Sequence, residues 1–138
     1  MIITKRDIKF FNFAKTISNS STYKKHKLGC VIVYRKQIIS VGWNDCKTCT
    51  TQARYNKFRN LEGNNILHQI HAETMALKKI RFLDIDFSDV ELYVYREHRN
   101  GVKALAKPCK ACQALITSMG ISIINYTIEG GYACERIG

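Results

Sequence analysis

Apolar residues recur along this chain at two different spacings, and the switches between them divide it into elements. Thr4 followed by Asp7 resembles a capping-box start, and Phe10, Ala14 and Ile17 then recur at helical spacing, which predicts a first helix over about residues 5–19. Phe13 shares that spacing with Phe10 while Phe11 falls off it, and the three phenylalanines read as core and subunit contact. The polar, basic stretch "SNSSTYKKHK" is a loop. In "LGCVIVYRKQIISVGW" the pattern becomes β-branched, giving two strands joined by a tight turn near Arg35 and Lys36. Residues 45–70 are polar, basic and aromatic without clear periodicity, and predict loop mixed with short helix.

From His71 to about Arg81 the spacing predicts a helix with Ala76, Leu77 and Ile80 inward. "VELYVYRE" is a strand, "HRNG" a turn and "VKALA" an extension of that hairpin. Cys109 to Met119 predicts another helix, stopped by Gly120 at the expected position after the last turn. "ISIINYTI" is a strand, and "EGG" turns into a short final strand, "YACERI". Strands alternating with helices predict one α/β domain over residues 1–138, a three-layer α/β/α sandwich around a mixed sheet of four to five strands, with an insertion at about 45–70.

Composition narrows the setting. A chain of 138 residues with a 46% hydrophobic fraction and one proline can bury a real core and is not a disordered protein. No apolar run approaches the ~20 residues of a membrane-spanning helix. The start, "MIITKRDIKFF", lacks the apolar core of a secretory signal, so no membrane partner and a cytoplasmic location are expected. In a reducing compartment the six cysteines read as thiols or metal ligands. The net charge of +11 attracts phosphates, nucleotides or nucleic acid. It concentrates in "YKKHK", with Lys24, Lys25 and Lys27, and in "RYNKFRN", with Arg54, Lys57 and Arg59 between aromatics. These six are candidate contacts for a phosphate or a nucleic-acid strand; a solvated basic face accounts for them equally well.

Candidate chemistry changes the picture most. Cys109 and Cys112 lie three apart at a helix start, just after Pro108, so both sulfurs reach one ion. Unpaired N–H groups and the positive end of the helix dipole favour thiolate, the form that binds zinc. His71 also starts a helix and supplies a third ligand, leaving the fourth tetrahedral position open for water, as in catalytic zinc sites. Glu73 then sits near enough to take that water's proton without binding metal itself. Inside a regular helix i and i+2 point apart, so helix-start geometry is expected to let His71 and Glu73 converge. The pair reads H-x-E…P-C-x-x-C, the signature of zinc-dependent nucleobase deaminases.

With these motifs the chain resembles the cytidine deaminase superfamily over roughly residues 28–128, most closely the CMP/dCMP deaminase branch. "LGCVIV" and "ISVGWN" are similar to two strands of that family. The resemblance implies a cytidine deaminase-like fold and attack of zinc-activated water on C4 of cytosine, with Glu73 shuttling protons to N3 and the leaving ammonia. It also implies a contact from Asn44 to the substrate sugar and a backbone contact from Ala72 to the base. "HAETMAL" is similar to the tRNA adenosine deaminases as well, and Lys107 matches neither branch. The long segment between Asn44 and His71 resembles the dCMP deaminase insertion and decides for that branch. Within it Cys46, Cys49 and His68 are candidate ligands for a second, structural zinc, as in similar phage-type dCMP deaminases. The helix-plus-strand tail of larger relatives is expected to be missing, and a homo-oligomer is expected because relatives are usually oligomers.

The remaining cysteines and ring residues read more plainly. Cys30 is a small core residue within a strand, Cys134 has no visible partner, His98 is exposed at a turn and His26 joins the basic loop. Trp43 packs either beside the pocket or at the sheet end. Three functions follow in order. The first is a zinc deaminase acting on a free cytosine nucleotide such as dCMP. Next comes a deaminase of cytosine or adenine within single-stranded DNA or RNA. Last is a non-catalytic, zinc-stabilised nucleic-acid-binding module, against which Glu73 argues.

Overall fold

In a computed structural model, which describes residues 2–23, 26–46, 50–56 and 70–137, helices and strands alternate broadly as the apolar pattern requires. The elements are α1 (Lys5–Ser18), β1 (Leu28–Tyr34), β2 (Gln37–Trp43), α2 (Thr50–Tyr55), α3 (Ala72–Lys78), β3 (Val90–Arg96), α4 (Lys110–Ser118), β4 (Ile123–Ile128) and β5 (Gly131–Arg136). Thr4 caps α1: its hydroxyl accepts from the Asp7 N–H, and the Asp7 carboxylate accepts from the Thr4 N–H at 2.8 Å. Tyr93 of β3 donates its hydroxyl to the same carboxylate at 2.5 Å, fastening the helix start to the sheet. Partial burial would raise the Asp7 carboxyl, but the hydrogen bonds from Thr4 and Tyr93 outweigh it and hold the group below its ordinary range.

The sheet has the order β2-β1-β3-β4-β5. Every neighbouring pair is antiparallel except β3 with β4. Consequently β2, β3 and β4 run the same way and end at one edge. The turn from β1 to β2 falls on Arg35 and Lys36, both in the left-handed region (φ 49° and 72°), which matches the right-handed twist of a two-residue hairpin. The Arg35 guanidinium meets Asp89 at 3.3 Å and lies over the Tyr34 ring.

Helix α1 covers one face, where Phe10, Phe11 and Ala14 pack against Val31, Val33 and Tyr93. Helices α3 and α4 cover the other, with Ala76, Leu77, Leu115 and Ile116 against Cys30, Ile32, Leu92 and Ile124. The α/β/α sandwich is therefore present, with a five-stranded mixed sheet. The spacing that pairs Phe10 with Phe13 does not decide which ring is buried. Phe11 is fully buried, edge-on to Tyr93, and Phe13 is 45% exposed, because the buried stripe of α1 runs through 10, 11, 14 and 18.

Two boundaries also differ from the sequence reading. Helix α3 stops at Lys78 and continues only as a turn, although Ile80 is buried as expected. The segment "VKALA" extends its hairpin by a single bridge, Glu97 to Lys103; from there the Ala106 N–H turns away to the Thr127 carbonyl of β4.

Two glycines let the helices lie close to the sheet from opposite sides. A side chain at Gly29 would strike the Ala14 carbonyl of α1. One at Gly42 would stand 2.6 Å from the Ala76 nitrogen of α3 and nearer still to the Ala72 carbonyl. Because both collisions are with backbone, no rotamer change relieves them. Gly42→Ala is expected to lower stability by about 1–3 kcal/mol, the usual cost of overpacking, in chemical denaturation of the zinc-free protein. A loss within about 0.5 kcal/mol, as for surface substitutions, would mean that α3 lifts off the sheet freely.

Candidate metal centre

Two helix starts face each other at the edge where β2 and β3 end. His71 precedes α3 with extended backbone (φ −80°, ψ 155°), and Cys109 precedes α4 in the same way (φ −68°, ψ 171°). Each is the capping residue of its helix, yet neither side chain caps it. Both turn toward the other instead. Because His71 lies outside the helix proper and Glu73 inside its first turn, the two are not held to the opposed directions of i and i+2 helical positions. Cys112, one turn into α4, completes the group.

The donor atoms of His71, Cys109 and Cys112 all lie within 4.8 Å of one another. From His71 Nδ1 the distances are 3.5 Å to Cys109 Sγ and 3.3 Å to Cys112 Sγ. A tetrahedral zinc with ordinary Zn–S and Zn–N bonds sets its sulfur and nitrogen ligands about 3.5 Å apart. The three residues therefore fit that ion both in chemistry and in spacing. A Cys₂His set with room for a further ligand is the arrangement of a catalytic zinc.

The electrostatics agree. A hydrogen bond from the Cys112 thiol holds the Cys109 sulfur well below the ordinary thiol range, in spite of its burial. The same bond, together with burial, raises Cys112. A metal ion takes the place of thiol protons when it binds. Thr74 of α3 lies 3.9 Å from Cys112 Sγ, a second polar neighbour for that sulfur.

Glu73 is 3% exposed. Burial pushes its carboxyl above the ordinary range; the His71 ring partly offsets this, and the Cys109 sulfur adds to it. A buried carboxyl with raised proton affinity, set beside a metal centre and not part of it, is equipped to accept and return protons. Cys30, the expected core residue of β1, is fully buried and its thiol is raised by burial and by the nearby Glu73 carboxylate.

The other residues singled out in the sequence are placed as follows. Ala72 is the buried first residue of α3. Asn44 is buried at the end of β2, where its Oδ1 accepts from the Leu28 N–H at 2.8 Å and its Nδ2 donates to the His26 carbonyl at 3.0 Å. Trp43 stands at the sheet end with its N–H against the Met75 sulfur and Lys79 over its ring. Lys27 and Arg54 are exposed; Lys24, Lys25, Lys57 and Arg59 lie outside the described residues. Of the second metal group only Cys46 is described, exposed and close to Thr22; Cys49 and His68 lie outside. His98 pairs with Glu129 at 2.9 Å at the surface.

Several supporting residues carried no sequence signal. Gln113 donates its side-chain amide to the Pro108 carbonyl at 2.7 Å, and Lys107 reaches Glu135 of β5 at 3.0 Å, so the loop before Cys109 is tied on both sides. Gln52 of α2 accepts from the His71 N–H at 3.0 Å. Each of these partners is distant in sequence or belongs to a segment without periodicity, apart from Gln113, whose contact is local.

Residues 4–128 match the family described as the cytidine and deoxycytidylate deaminase zinc-binding region. No curated protein sequence matches the chain significantly. Among solved structures, the apo dCMP deaminase of the cyanophage S-TIM5 superposes with a TM-score of 0.63 at 22% identity, covering 91% of this chain and 84% of that one. The same enzyme in complex with dCMP and dUMP gives 0.59 at 24% identity, over 89% and 82%. A cytidine deaminase from Burkholderia pseudomallei gives 0.64 at 16% identity, over 94% and 91%. At these identities the likeness establishes the fold.

His71→Ala and Cys112→Ala are each expected to purify without zinc, whereas Glu73→Ala should keep one equivalent, as read by metal analysis. Stoichiometric zinc in either ligand variant would mean that other residues hold the ion.

Proposed function

The chain belongs to the cytidine and deoxycytidylate deaminase zinc-binding family and is a hydrolytic deaminase; from that premise we propose that its substrate is the cytosine of a free nucleotide, dCMP first among them. The observation that carries the reading is the buried Glu73 beside the His71, Cys109 and Cys112 group. A zinc-stabilised binding module has no use for a buried carboxyl at that place, and burying one costs free energy.

Bound by the three ligands, zinc supplies a Lewis acid that brings the pKa of a water toward neutrality. Glu73 takes a proton from the water as its oxygen bonds to C4, and passes it to N3 of the ring. The proton of the hydroxyl now on C4 then passes through Glu73 to the exocyclic nitrogen, the C4–N bond breaks, and ammonia leaves as the C4 carbonyl of uracil forms. Exclusion of solvent around Glu73 keeps the proton on this path. Asn44 is the proposed sugar contact, and the Ala72 N–H, among those a helix start leaves without an intrahelical partner, the proposed contact to the base. The dCMP-bound relative supports a nucleotide of that size.

The charge of +11 favours a second substrate class, cytosine or adenine within single-stranded DNA or RNA. A deamination panel separates the two: cytidine, CMP, dCMP, deoxyadenosine, single-stranded DNA and a structured RNA at matched base concentration, followed by mass spectrometry. Uracil from dCMP and not from strands is expected, with a rate that falls only gently as salt rises. Conversion confined to strands, with steep salt dependence, would overturn the nucleotide assignment. Glu73→Ala is expected to lose at least about 10²- to 10⁴-fold in turnover with zinc in place. An active variant would remove Glu73 from its role.

A further inference from the structure

The residue that stands out beyond the ligands and Glu73 is a glutamine in the insertion. Gln52 is 1% exposed, and its side chain is committed at both ends. Its Nε2 donates to Asn56 Oδ1, just past the end of α2, at 2.8 Å, and its Oε1 accepts from the His71 N–H at 3.0 Å. Asn56 is itself buried. A buried amide of this kind is retained only where its hydrogen bonds are made, so both bonds fix its orientation.

The backbone at His71 needs such a partner. As the capping residue of α3 it stands outside the helix, and its N–H has no acceptor there. Its side chain is turned to the cysteines and does no capping. Just before it, Ile70 is held by reciprocal backbone bonds to Asp45, both 3.0 Å. The peptide plane that leads into His71 is thus fixed on one side by Asp45 and on the other by Gln52. Helix α2 is also tied to the far end of α4 through Tyr55 and Ser118, whose hydroxyls are 3.1 Å apart.

We infer that Gln52 is a positioning residue of the metal centre: by gripping the His71 N–H it sets the direction from which the imidazole reaches the ion, and it makes α2 of the insertion part of the site. The inference rests on the zinc reading above. Outer partners that orient a metal ligand are worth about 10- to 100-fold in metal affinity.

The test compares zinc release from the loaded full-length protein into a colorimetric chelator for wild type, Gln52→Met, Gln52→Glu and Tyr55→Phe. Gln52→Met keeps the length and removes both bonds; it should bind zinc about 10- to 100-fold more weakly. Gln52→Glu keeps an acceptor for the His71 N–H but loses the donor to Asn56, so its release should be slower than that of Gln52→Met and faster than that of wild type. Tyr55→Phe removes the hydroxyl that α2 sets against Ser118 of α4 and should leave release unchanged. A Gln52→Met protein that holds zinc as well as wild type, or a Tyr55→Phe protein that releases it as fast as Gln52→Met, would overturn the inference. Should Gln52→Met not fold, Asn56→Ala, which unfixes the amide, must release zinc faster than Tyr55→Phe; equal rates would overturn it too. A wild-type protein that takes up no zinc would overturn the metal centre itself, an outcome distinct from wild type and variant holding zinc equally.

Discussion

Two helices must begin at the same edge of the sheet with their first residues turned toward each other, and most of the structure serves that constraint. His71 and Cys109 meet because each gives up the cap it would ordinarily supply and keeps extended backbone. The parallel sense of β2, β3 and β4 brings both approaches to one edge. On the β2 side, Gly42 removes the side chain that would keep α3 away, so the histidine arrives at the level of the sulfurs. On the β3 side, the loop before Cys109 is pinned by Gln113 locally and by Lys107 to β5.

The same convergence concentrates groups that repel one another when ionised. The Cys112 thiol is raised by its bond to Cys109 and by burial, a carboxyl raised by burial lies beside the pair, and Cys30 adds a further thiol that burial raises. Such a cluster contributes little to the stability of the zinc-free fold; the sandwich around it, packed with aliphatic and aromatic side chains on both faces of the sheet, supplies that. A bound cation reverses the balance locally, since it is attracted by each negative group that the others oppose.

How much was legible in the sequence depended on how local each feature is. Period and capping chemistry located α1 from Thr4 and Asp7, the β1–β2 turn at Arg35 and Lys36, and the start of α4 at Cys109, because each is encoded within a few residues. His71, Cys109, Cys112 and Glu73 stood out because their spacing is itself what the proposed chemistry requires, and the fold brings the first three together. Phe11 falls off the Phe10–Phe13 spacing yet is core, and Phe13 fits it yet is exposed, because a helix presents a stripe wider than one i, i+3 pair and only the sheet beneath decides which edge is covered. Gln52 was invisible: a polar residue in an aperiodic segment gains its role from an N–H nineteen positions away. Asn44 was marked by resemblance alone, and its bonds to Leu28 and His26 appear only when the loop before β1 folds back.

The chain distance between the ligands has a topological consequence. His71 and Cys109 are 38 residues apart, and the stretch between them contains all of α3 and β3. With one ion held by both, that stretch would be a closed ring, and β3, the strand at the middle of the sheet, would be part of it. A fluctuation that frees either helix start leaves its end tethered to the other, so the ends re-find each other across a short ring instead of a long open chain. The ion proposed for the chemistry would therefore also be the clasp that closes the ring containing the central strand.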